Sequence, residues 1–166
     1  MTAEDAHIFA TSIYENLRVA KASLTREEAV TSLQRAGLCE WIDSLPDGID
    51  TVIGSGATTV SGGERRRLLM ARALLVPAPV MAVDEASEHL DGETADRLMN
   101  TLLTPPPDRA TLVVTHRLSA LDQADQVLVL GRVQAGQCAR VVAQGTHAHV
   151  LSCLPGYRWA LDQEEQ

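Results

Sequence analysis

The sequence predicts an α/β protein whose first part, about residues 12–75, is mostly helical and whose second part, about 76–166, carries a parallel sheet. Two observations predict this. Hydroxyl-to-carboxylate pairs of the S/T-x-x-E kind recur before helix-like stretches in the first part. In the second, the apolar runs Val80 to Val83 and Thr111 to Thr115 flank a strongly periodic helix, which is the order of a strand–helix–strand unit.

In chain order, Met1 to Phe9 reads as a strand end or loop. Ser12 with Glu15, and Thr25 with Glu28, each fit a capping box. The second of these opens a helix over about Arg26 to Ala36, with Ala29, Leu33 and Ala36 on one face and Gly37 placed to end it in a left-handed cap. A short helix around Cys39 to Leu45 stops at Pro46, Asp47 and Gly48, a turn signal. Next comes the stretch on which the chemistry rests, Val60 to Glu85: VSGGERRRLLMARALLVPAPVMAVDE. It reads as a helix opened by glycines and ended near Pro77, then an apolar strand with the look of one buried on both faces.

Asp91 caps the following helix, where Ala95, Leu98, Met99, Leu102 and Leu103 keep the spacing of one buried face until Pro105, Pro106 and Pro107. The Thr111 to Thr115 strand delivers His116 at its carboxyl end, and Gln126 to Leu130 is a third strand. Gly131 to Gly145 resembles a hairpin, followed by a helix from about His147 and a tail ending DQEEQ. Ligands of such a layer are expected at the carboxyl ends of its strands, where Asp84, Glu85 and His116 fall.

Composition narrows the function. With 166 residues and 45% hydrophobic content there is enough chain for one sizeable core. A formal charge of -8 argues against nucleic acid or an anionic membrane surface as partner, the one basic cluster being Arg65, Arg66 and Arg67. The three cysteines, Cys39, Cys138 and Cys153, lack disulfide or zinc spacing, so a reducing compartment is the default. No secretory leader or membrane span is expected, and the chain itself is expected to be soluble.

Ser61, Gly62, Gly63 and Glu64 can be read as one more capping box. The glycines argue for more, because each costs roughly 1 kcal/mol relative to alanine in a helix and a cap does not need them. Bare amides at a helix N-terminus, aided by the helix dipole, make an anion site that a side chain would obstruct. Asp84 and Glu85 leave an apolar strand, where acidic residues are common; as a functional pair, Asp84 holds Mg²⁺ through water and Glu85 orients or deprotonates an attacking water. His116, alone more often structural, becomes at this edge a candidate sensor of a terminal phosphate.

VSGGERRRLLMARALL, PVMAVDEASEHLD and LVVTHRL, in this order and spacing, resemble the signature, Walker B with D-loop, and switch-histidine motifs of the ATP-binding cassette (ABC) family. DAHIFATSIYEN is similar to the segment after that family's Q-loop, and Val129 to His147 to the strands after its histidine. The resemblance implies an ABC ATPase domain of the P-loop NTPase class, with ATP and Mg²⁺ as ligands. It makes Ser61, Gly62, Gly63 and Glu64 the signature that closes on ATP held by a partner subunit, Asp84 the magnesium ligand, Glu85 the catalytic base, Asp91 the D-loop aspartate and His116 the switch histidine.

Implied partners are a second ABC subunit, in a heterodimer, and a transmembrane domain, which would hold the chain at the cytoplasmic face of the plasma membrane. Within the family, HIFATSIYENL, SEHLD and THRLSALDQADQVLVL resemble an exporter of the cytochrome bd biogenesis type, linked to export of cysteine or glutathione. Three features depart from the pattern. Glu64 stands where glutamine is usual, Glu4 where the Q-loop glutamine is expected, and no GxxxxGK[ST] loop occurs. The P-loop is expected upstream of Met1, which makes the domain incomplete, leaves sheet edges uncovered, and leaves the isolated chain without ATP hydrolysis. A non-catalytic module lending only its signature to a partner's ATP is the alternative; a DNA-maintenance ATPase is disfavoured by the acidic composition and the lack of heptads.

Overall fold

A computed structural model describes residues 7–54, 59–87, 90–131 and 138–164. The chain divides into two compact units, Met1–Val114 and Thr115–Gln166.

In the first unit, β1 (Thr11–Ser12) pairs antiparallel with β2 (Val52–Ile53), and α1 (Ile13–Arg18), α2 (Arg26–Arg35) and α3 (Cys39–Ser44) lie between them in sequence. The Thr25 box is complete: its hydroxyl accepts from the Glu28 amide while the Glu28 carboxylate accepts from the Thr25 amide. Only half of the Ser12 box forms. Ser12 accepts from the Glu15 amide, but the Glu15 carboxylate takes the Arg18 guanidinium at 2.8 Å instead of reaching back. Gly37 ends α2 at φ 70°, the left-handed region open to glycine. An added Cβ there would also stand 3.1 Å from Thr94 Cγ2.

Ile13, Leu17, Ala29, Leu33, Leu38, Ile53, Leu68 and Ala71 form one buried cluster, so α1, α2 and α4 (Gly62–Leu75) share a core. A second strip, Ala95, Leu98, Met99 and Leu102, is the buried face of α5 (Gly92–Leu103), as its spacing requires.

On either side of α5 in sequence run β3 (Val80–Asp84) and β4 (Ala110–Val114), which pair in parallel from Val80 opposite Ala110 to Asp84 opposite Val114. The expected parallel unit forms, but the expectation that β3 is buried on both faces fails. Val83 is buried, whereas Val80 is 62% exposed and, opposite β3, Leu112 and Val114 are 54% and 50% exposed. Among the described residues this sheet has two strands, and side chains alternate between its faces. One apolar face is therefore open.

The second unit contains β5 (Val127–Gly131) and β6 (Arg140–Gly145), paired antiparallel with each other, then α6 (His147–Cys153) and α7 (Pro155–Glu164). The expected third strand, Gln126 to Leu130, is therefore the partner of β6, whereas the expected hairpin falls within Gly131 to Gly145, of which residues 132–137 lie outside the described residues. The stretch expected as a tail is thus largely helix. Pro155 suits a first helical position, where its missing N–H has no partner to lose. Among the described residues no helix is long and apolar enough to cross a membrane.

Candidate functional site

Ser61 stands in extended conformation before α4, and its hydroxyl accepts from the Glu64 amide at 3.2 Å. The Glu64 carboxylate accepts from the Ser61 amide at 2.7 Å, which completes a capping box. The first helical bond runs from the Arg65 amide to the Ser61 carbonyl, so the amides of Gly62 and Gly63 have no acceptor within the helix. At both positions an added Cβ would meet nothing within 4 Å. The chain's own packing therefore does not call for these glycines, and the open space above two helix-terminal amides fits an approaching anion. Glu64, which stands where glutamine is usual, has one carboxylate oxygen turned back onto the cap.

The basic cluster behind the glycines is partly used inside the fold. Arg67 donates to the Gly37 carbonyl at 2.9 Å and so closes the end of α2 onto α4. Asp91 caps α5 by accepting from the Thr94 amide at 2.9 Å. That bond holds the Asp91 carboxyl below its ordinary range, with a smaller pull from the Arg67 guanidinium.

Asp84 ends β3 with its side chain exposed, and Glu85 follows it half-buried. The Glu85 amide donates to the Val114 carbonyl at 2.9 Å, extending the ladder one residue past the strand. Glu85 is also the non-glycine residue with positive φ among those described, at 48°. A left-handed glutamate costs roughly 1–2 kcal/mol, and such outliers cluster where a side chain must be aimed. Two adjacent carboxylates at a strand end are a poor cage for a cation, and no group of three or more metal-ligating side chains occurs among the described residues. They do fit Mg²⁺, an ion that takes one or two carboxylates and keeps water and phosphate oxygens for the rest.

His116 lies two residues beyond β4, exposed, in the second unit. The carboxylate pair, the glycine-opened helix and Asp91 belong to the first unit. Glu4 lies outside the described residues. Two polar assemblies escaped the sequence reading. Arg72 of α4 donates to the carbonyl and side-chain oxygen of fully buried Asn16 and to the His7 carbonyl. Glu164 accepts from the loop just after His116. Long-range pairs such as 72 with 16 leave no spacing signature; the near-complete burial of an asparagine shows only in three dimensions.

A sequence model of the ABC transporter family matches residues 1–88. The ATP-dependent lipid A-core flippases of Pseudoalteromonas atlantica and Vibrio cholerae are each 37% identical to this chain over 153 residues, covering 92% of it and 25% of their own length. That of Haemophilus ducreyi is 35% identical over 159 residues, covering 95% of the chain and 26% of the flippase. Among solved structures, a bacterial Atm1-family ABC exporter with ATP bound matches 99% of the chain at a TM-score of 0.75 and 28% identity, over 28% of the exporter. The chain thus spans about a quarter of the length of these relatives. They correct one expectation: a cytochrome bd biogenesis exporter of cysteine or glutathione finds no support among them.

Proposed function

The chain belongs to the ABC transporter family, and from that premise we propose that it is the C-terminal portion of the ATP-hydrolysing domain of an exporter, divided into a helical part over about residues 12–75 and an α/β part over about 76–166. The observation that carries this reading is the pairing of two half-sites. A glycine-opened helix leaves two amides clear of side chains, and a parallel strand ends in Asp84 and a left-handed Glu85.

In this reading Gly62 and Gly63, with Ser61, bind the terminal phosphate of an ATP molecule held by a second ABC subunit. Asp84 holds Mg²⁺ through water, and the ion, when bound, neutralises charge on the phosphates. Glu85 takes a proton from the attacking water or orients it, and its left-handed backbone, at φ 48°, supports a functional role for the residue. His116 contacts the terminal phosphate, and Asp91 faces the second subunit. The partners are that subunit, in a heterodimer, and a transmembrane domain, so the work is done at the cytoplasmic face of the membrane. Cargo is selected where it crosses the bilayer, and no described helix can do that. Relatives at 35–37% identity support a lipid A-core-type cargo over a thiol.

One experiment tests the core of this. In the transporter subunit containing this chain, Glu85→Gln is expected to lower ATP turnover by roughly a hundredfold or more while nucleotide binding persists. Unchanged turnover rejects the assignment. The isolated 166-residue chain is expected to give no heat of MgATP binding by calorimetry; saturable binding would show that the chain completes a nucleotide site by itself. The accessory-module reading gains support if Glu85→Gln is silent while substitution at Gly63 is not.

A further inference from the structure

His116 is exposed, and the backbone that follows it is held by side chains from two directions. On one side Thr115 Oγ1 accepts from the Arg117 amide at 3.0 Å. On the other, Glu164 of α7 accepts from the Leu118 amide at 2.6 Å, the Ser119 amide at 3.3 Å and the Ser119 hydroxyl at 3.0 Å. Arg117 Nε stands 3.8 Å from the same carboxylate. The carboxylate and guanidinium side chains are only 23% and 24% exposed, which limits the water available to replace these bonds. One carboxylate thus holds three consecutive residues, Arg117 to Ser119, immediately after the histidine.

The partners are 45 and 46 residues apart in sequence, so the C-terminal helix, and not the strand that delivers His116, sets the path of the loop. Charge-assisted bonds to backbone amides are short and about twice as strong as neutral ones. α7 is itself anchored through Tyr157, which is buried and whose hydroxyl lies 2.9 Å from His147 Nδ1 on α6.

We propose that Glu164 is a positioning residue for His116: by accepting from the Leu118 and Ser119 amides it holds the loop in the one path that presents the imidazole to the terminal phosphate. This rests on the role given to His116 above. A carboxylate in this position transmits any shift of α7 directly to the histidine, which makes the C-terminal helix part of the hydrolytic apparatus without touching nucleotide.

Two readouts separate the possibilities. In the 166-residue chain, Glu164→Ala is expected to raise amide hydrogen exchange at Leu118 and Ser119 about tenfold and to leave the β5 and β6 amides unchanged. In the transporter subunit the same substitution is expected to lower kcat about tenfold with the KM for ATP nearly unchanged. Glu164→Gln, which keeps one acceptor oxygen, should restore part of both losses and guards against a mere folding defect. Unchanged exchange at Leu118 and Ser119 overturns the clamp, whatever turnover does. Raised exchange with unchanged kcat, in a subunit that His116→Ala inactivates, overturns the positioning role. Full turnover in His116→Ala is a separate failure, which overturns the role of His116 itself and with it any catalytic effect of the clamp.

Discussion

An added Cβ at Gly62 or Gly63 would meet nothing within 4 Å, so both glycines cost helix stability without relieving any clash. Gly63→Ala is accordingly expected to stabilise the isolated chain by up to about 1 kcal/mol in urea unfolding, and, under the function proposed above, to reduce ATP turnover in the transporter subunit. A stabilised and fully active variant would remove phosphate approach as the reason for the glycine. Glu64 makes the complementary case. Glutamine can serve at the same capping position, so Glu64→Gln should change stability by less than about 0.5 kcal/mol while removing a negative charge from the phosphate side. Tighter nucleotide-dependent association of subunits would be the result to look for. At Asp91, the bond to the Thr94 amide depresses the carboxyl in the folded state. Its contribution is therefore complete above the unfolded value of about 4 and disappears as pH falls through the lower folded value. Asp91→Asn keeps an acceptor but not the titration, so its melting temperature should fall less steeply than the wild type's on the acid side of about pH 4.

The elements themselves were largely written in local pattern. Thr25 with Glu28, Ser61 with Glu64, and Asp91 before Thr94 each start the helix that their spacing announces, because a cap is a contact between residues three apart. What joins one element to the next was not written locally. Arg109, immediately before β4, donates to the carbonyls of Leu74, Val76 and Ala78, fastening the end of α4 and the turn after it. Arg72 binds Asn16 across a separation of 56 residues, and its guanidinium is shifted down by burial. Removing Arg72 strands the buried Asn16 carbonyl and part of its amide network. Arg72→Met should therefore cost roughly 2–3 kcal/mol in equilibrium unfolding, more than the substitution of an exposed arginine such as Arg97. A loss below about 0.5 kcal/mol would mean that the network is replaced by water.

Across the molecule, apolar strand surface stands in the open. Val80, Leu112 and Val114 on the parallel pair, and Leu128, Leu130, Val141 and Val142 on the antiparallel pair, are each more than 40% exposed. Surface of this kind drives association, so the isolated chain is expected to self-associate with concentration in light scattering. Leu112→Lys should reduce that association, and a strictly monomeric wild-type chain would count against it. The continuous apolar run of β3 predicted a strand correctly, because strand formation follows from local apolar and β-branched content. It could not say what covers that strand, because cover is a property of other parts of the fold. By itself the sequence determined the capped helices, the parallel strand order, and the family motifs that carry Ser61, Gly62, Gly63, Asp84, Glu85, Asp91 and His116. Among these is the capping box in which Glu64 folds back onto Ser61, as the spacing of the two residues announces. Only the tertiary structure decided that Glu85 turns left-handed and that Glu164 grips the loop behind His116. Those two depend on a backbone dihedral and on side chains meeting in space, which hydrophobic periodicity and motif spacing do not encode.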